Sequence, residues 1–106
     1  MKICVYSSSS EALEDGYFEV ARQLGELMAR KNYDLVYGGG AIGLMGACAR
    51  GLYEAGGVVI GVIPDALNQK GIVFENCLEL HVTKTMSARK AMMEEKADAF
   101  IVALAS

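Results

Sequence analysis

The 106-residue sequence contains no tryptophan, one proline (Pro64), one histidine (His81) and three cysteines. Each scarcity excludes something. A multi-histidine metal centre has no ligands to draw on, so no metal is expected, and a Ser/His/Asp triad would have to run through His81. Cys4, Cys48 and Cys77 are odd in number, lack CxxC spacing and stand among apolar residues, which reads as reduced core thiols. Basic residues are few: 10 Lys and Arg against 13 Asp and Glu leave a net charge of -3. With no run of Lys or Arg, neither nucleic acid nor a membrane surface is an expected partner. No stretch approaches the roughly 18 apolar residues of a membrane span, and the apolar start at Met1 to Tyr6 is too short for a signal peptide. The chain therefore reads as cytoplasmic.

What is present is an apolar, foldable composition, 53% hydrophobic and 22% charged, expected to form a single domain over residues 1–106. Five β-rich runs stand out: Lys2 to Tyr6, Leu35 to Tyr37, Val58 to Ile63, Leu78 to Val82 and Ala99 to Leu104. Most are apolar on nearly every residue, as in parallel strands covered on both faces, whereas Leu78 to Val82 alternates and reads as an edge. Between the first two runs, Tyr17, Val20, Ala21, Leu24, Leu27 and Met28 follow the helical period, after Ser8 and Glu11 as a capping pair. A second helix is expected from about Gly43, with Gly46, Ala47 and Gly51 letting it approach the sheet, and a third from about Ser87 to Lys96. Strands alternating with helices imply an α/β fold, a Rossmann-like doubly wound parallel sheet.

In such sheets ligands bind beyond the carboxyl ends of the strands. Three loops occupy those ends: Ser7 to Ser10, Gly38 to Gly43, and Thr83 to Lys90. The glycine loop can bring its backbone close to a phosphate at a helix N-terminus, or it can simply make a tight turn. Gly38-x-Gly40-x-x-Gly43 with Asp65 further on also fits a dinucleotide pattern, although it follows the second strand instead of the first. Ser7 and Ser8 offer hydroxyls to a phosphate or ribose, and Ser8 serves equally as a helix cap. Arg89 and Lys90 fall at the start of the third helix, where a cation opposes the macrodipole, and a residue that breaks a local rule is a candidate for function. The alternative is two solvated charges, with Lys90 pairing with Glu94. Met86, Met92 and Met93 read as core, as does Met45 despite its place beside the glycines. Asp65 and Glu75 are the carboxylates nearest these loops.

Four segments together, Ile3 to Ser9, Asp34 to Gly46, Val59 to Pro64 and Met86-Ser87-Ala88-Arg89-Lys90, resemble the Lonely Guy family of cytokinin riboside 5'-monophosphate phosphoribohydrolases. The resemblance implies a homodimeric, cofactor-free enzyme that hydrolyses the N-glycosidic bond of a nucleoside 5'-monophosphate to free base and ribose 5-phosphate. It places Ser7, Ser8, Gly38, Gly39, Gly40, Gly43, Met45 and Lys90 around the nucleotide, with Arg89 as the catalytic or orienting arginine. The family continues from the fifth strand into Pro-Gly-Gly-x-Gly-Thr-x-x-Glu, which binds phosphate and supplies the catalytic glutamate. Here the residues are Ala103-Leu104-Ala105-Ser106. The expectation is a C-terminally incomplete domain that is inactive by itself.

Overall fold

The computed structural model describes residues 1–7 and 15–103. Five strands, β1 (Lys2–Ser7), β2 (Asp34–Tyr37), β3 (Val59–Pro64), β4 (Glu79–Thr83) and β5 (Ala99–Ala103), form one sheet in the order β4-β3-β2-β1-β5. Every pairing is parallel, with Ile3 opposite Leu35 and Ala99, Leu35 opposite Val59, and Ile60 opposite Glu79. Strand order therefore reverses between β1 and β5. The alternating run at Leu78 to Val82 does lie at an edge, because among the described residues no strand pairs with β4 on its outer side.

Side chains alternate across each strand, and the two faces build separate cores. Helices α1 (Asp15–Arg30) and α2 (Gly43–Glu54) cover one face, where Ile3, Val5, Leu35, Tyr37 and Val59 meet Met28, Cys48, Ala49 and Leu52. Helix α3 (Met86–Lys96) covers the other, where Met93 meets Cys4, Val36, Ile60 and Val62. Strand β3 is buried at all positions, as a doubly covered central strand must be. Each Val, Leu or Ile so enclosed contributes roughly 1.5–3 kcal/mol over its exposed state. Cys4 and Cys48 are buried and Cys77 half-buried, all three as free thiols.

Three details differ from the sequence expectation. The apolar stripe of α1 is rotated: Tyr17, Val20 and Leu27 are exposed, while Ala21, Leu24, Met28 and Ala29 face the core. The reason is Gly25, where the backbones of α1 and α2 nearly touch; a Cβ there would overlap the Cys48 carbonyl and come within 2.7 Å of the Leu52 amide. Gly51 serves the same crossing, because its missing Cβ faces the Arg22 carbonyl of α1 and not the sheet. Helix α3 begins one residue earlier than expected, at Met86, because Thr85 is its N-cap and accepts from the Ala88 amide at 3.0 Å. The proposed Ser8 and Glu11 cap of α1 lies outside the described residues.

Two glycines of α1 separate packing from propensity. Among the described residues nothing stands within 4 Å of the missing Cβ of Gly16, whereas Gly25 faces backbone. Gly16→Ala is expected to stabilise by about 0.5–1 kcal/mol, and Gly25→Ala to destabilise by about 1–3 kcal/mol, both read from urea denaturation midpoints. A gain at Gly25 would mean that the two helices can separate freely.

Candidate functional site

A cavity of about 650 Å³ opens at the carboxyl ends of β1 and β2, between the start of α2 and α3. Of the residues singled out from the sequence, Gly38, Gly40, Gly43, Met45, Arg89 and Lys90 all line it. Gly39 does not. Its φ of 81° and that of Gly43, 78°, are left-handed values that let the loop turn, and a Cβ on Gly39 would point to Ile63 and Leu80. Ser7 closes β1, and Ser8 lies outside the described residues. Asp65, on a short 3-10 turn, and Glu75 are exposed and stand apart from the cavity lining.

The glycine loop is held by its own carbonyls. Gly38 O accepts from Arg89 Nη2 at 2.7 Å, Gly39 O from the Phe74 amide at 2.8 Å, Gly40 O from the Tyr37 hydroxyl at 2.7 Å and Ala41 O from Arg50 Nη1 at 2.6 Å. The Ala41 amide is also committed, donating to Ile72 O at 2.8 Å. An anion is therefore offered the first turn of α2. That turn has no side-chain cap and no acidic residue, its N-cap is the extended Ile42, and Gly43, Leu44 and Met45 face the cavity. Its unsatisfied amides concentrate about half a positive charge there.

Arg89 adds the second positive element. Its position in α3 opposes the helix dipole, but the guanidinium reaches the carbonyl ends of two strands, donating from Nε to Val62 O at 3.0 Å as well as to Gly38 O. Those oxygens compensate the misplaced cation. Burial lowers the Arg89 pKa, with the Tyr6 phenol opposing the shift, yet a guanidinium stays charged at any working pH. Nη1 has only the Met86 sulfur, at 3.9 Å, as a partner among the described residues. Lys90 is exposed, as a solvated charge would be, but makes no ion pair with Glu94.

Apart from Ser87, the rest of the wall is apolar or aromatic: Val5, Tyr6, Tyr37, Ile42, Leu44, Met86 and Met93. Met93 is core as expected, but Met86 is 59% exposed and belongs to the cavity mouth. The Tyr6 hydroxyl is enclosed without a hydrogen-bond partner among the described residues, and its ring stacks on Phe100 at 6.4 Å with planes 9° apart. Tyr6, the Tyr37 hydroxyl and the clasp from Ile72 to Phe74 carried no recognisable local signal, because their roles depend on partners distant in sequence. No cluster of His, Cys, Asp or Glu suited to a metal occurs among the described residues.

The profile of the SLOG cluster4 family matches residues 1–105. The chain belongs to that family. It is 42% identical over 100 residues to a probable cytokinin riboside 5'-monophosphate phosphoribohydrolase of Oryza sativa subsp. japonica, covering 94% of this chain and 40% of that protein. To a cytokinin riboside 5'-monophosphate phosphoribohydrolase of Arabidopsis thaliana it is 41% identical over 100 residues, covering 94% and 47%. The resemblance read from the motifs is thus met by relatives of that name, and the chain spans less than half of their length. Among solved structures, the Moco carrier protein of Chlamydomonas reinhardtii superposes with a TM-score of 0.80 at 24% identity, over 99% of this chain and 62% of that one. A molybdenum cofactor binding protein of Rippkaea orientalis gives 0.80 at 25%, over 99% and 63%. These two share the fold.

The buried thiols and the enclosed phenol predict alkaline sensitivity. Burial pushes Cys48 and Cys77 to about 11. The same cause, with the neighbouring Cys4 thiol second, takes Tyr6 to about 12. A raised folded-state pKa favours the protonated form, so this stability is complete below the unfolded thiol value near 9.0 and is lost as pH rises through 11. The urea midpoint is expected to fall steadily above about pH 9. A flat profile across that interval would show that the thiols ionise unhindered.

Proposed function

We propose that the cavity binds a nucleoside 5'-monophosphate and is the nucleotide-holding part of a phosphoribohydrolase. The observation that carries this reading is the convergence of an uncapped helix N-terminus, Arg89 and Lys90 on a pocket whose remaining wall, Ser87 aside, is apolar and aromatic. A ligand suited to it has an anion at one end and a flat, weakly polar group at the other. The names of the sequence relatives add the reaction. In that hydrolysis the oxygen of water bonds to the anomeric carbon, the bond from that carbon to the base nitrogen breaks, and the base departs with a proton. The sugar becomes oxocarbenium-like on the way, which calls for a carboxylate to steady it and to activate water.

The residues of this chain bind and orient. The first-turn amides of α2 and the two cations attract the phosphate, and Tyr6 with Met45, Met86 and Met93 excludes water from the base and sugar. Among the described residues, no carboxylate lines the cavity, so the general base of the reaction comes from outside this set. The same observation favours a second reading, a nucleotide carrier without turnover.

Calorimetry with AMP, adenosine and ribose 5-phosphate, paired with an adenine-release assay on the 106-residue chain, separates the possibilities. AMP is expected to bind at least about tenfold tighter than adenosine, the value of one or two charge-assisted hydrogen bonds, and no adenine is expected to appear. Equal affinity for AMP and adenosine would remove the anion subsite. Adenine release at an enzymic rate would show that a local carboxylate does the work.

A further inference from the structure

We propose that Gly38 is a positioning residue for Arg89: the space left by its missing Cβ is the slot in which the guanidinium is clamped. Backbone geometry does not demand glycine here, because Gly38 is not among the residues of positive φ, unlike Gly39 and Gly43. A Cβ at Gly38 would overlap Arg89 Nη2 and stand 2.9 Å from Cζ and 3.5 Å from Nε, so its three nearest atoms all belong to the guanidinium. At Gly40, the next loop glycine of ordinary φ, a Cβ meets nothing within 4 Å among the described residues.

The consequence follows from which atoms can yield. A Cβ forced against backbone must distort the fold, whereas one forced against the end of an arginine side chain expels that end. An alanine at 38 is therefore accommodated by the loss of both clamp bonds, Nη2 to Gly38 O and Nε to Val62 O. The clamp leaves Nη1 as the nitrogen without an oxygen partner among the described residues, so residue 38 decides where that donor stands at the cavity wall.

The test uses protein labelled with 15N at arginine. The Arg89 Nε–H resonance, assigned by its disappearance in Arg89→Ala, should exchange slowly with water because Val62 O holds it. Gly38→Ala is expected to abolish that protected resonance while Gly40→Ala retains it. An unchanged resonance in folded Gly38→Ala overturns the proposal. The ligand arm rests on the nucleotide reading: Gly38→Ala should weaken AMP binding on the order of tenfold, as Arg89→Ala does, and the double variant should bind no more weakly than Arg89→Ala alone. Multiplying effects in the double variant also overturn it. Should the wild-type protein not bind AMP, the nucleotide reading fails, and the resonance still decides the role of Gly38. Should Gly38→Ala not fold, adding Arg89→Ala must restore folding by vacating the slot, and failure to restore it counts against the proposal.

Discussion

Four consecutive carbonyl oxygens after β2, from Gly38 to Ala41, each accept from a donor in a different part of the chain: α3, the segment before β4, β2 itself and α2. Fixing a glycine-rich segment costs about 1–2 kcal/mol of backbone entropy per residue, most for glycine. One hydrogen bond of about 0.5–1.5 kcal/mol per residue offsets much of that cost. The loop is ordered by its surroundings, and the order gives the cavity its sign. With the carbonyls turned into protein, the polar groups facing the cavity include the first amides of α2, the guanidinium of Arg89, Lys90 and Ser87.

That arrangement gives Arg89 a place both in folding and in the site. Its Nε and Nη2 tie the end of β2 to the end of β3, so removing it would loosen the loop as well as take a charge from the wall. It also explains a cation where a helix dipole disfavours one: the oxygens at the carboxyl ends of two parallel strands lie within reach and outweigh the few tenths of a kcal/mol that the dipole costs. The position of the cavity follows from topology. α1 and α2 cover one face and α3 the other, leaving the carboxyl ends of β1 and β2 open between α2 and α3, the part of an open α/β sheet where ligands bind.

The strands, the parallel sheet and the edge position of β4 were legible in the sequence because they rest on local composition and period: Val58 to Ile63 is apolar throughout, and Leu78 to Val82 alternates. Gly38, Gly40, Gly43, Arg89 and Lys90 were legible as a group, since glycines after a strand and cations at a helix start both break local rules, whereas Met45 reads as core by itself and joins them only through the family resemblance. The buried stripe of α1 was misjudged. Tyr17, Val20 and Leu27 satisfy the helical period, but Gly25 draws α2 onto an adjacent strip, and a glycine carries no hydropathy to announce that contact.

What each glycine is for emerges only in the folded chain. Gly39 supplies a left-handed turn, Gly25 and Gly51 a helix crossing, and Gly38 the slot for a guanidinium 51 residues away. In sequence these are identical symbols, because glycine's contribution is absent volume, and the value of absent volume is set by what folds against it. Local composition and period suffice for the α/β alternation and for the kinds of group gathered at the strand ends. Which amides remain free, and which nitrogen of Arg89 points outward, follow from contacts between segments that meet only in the folded chain.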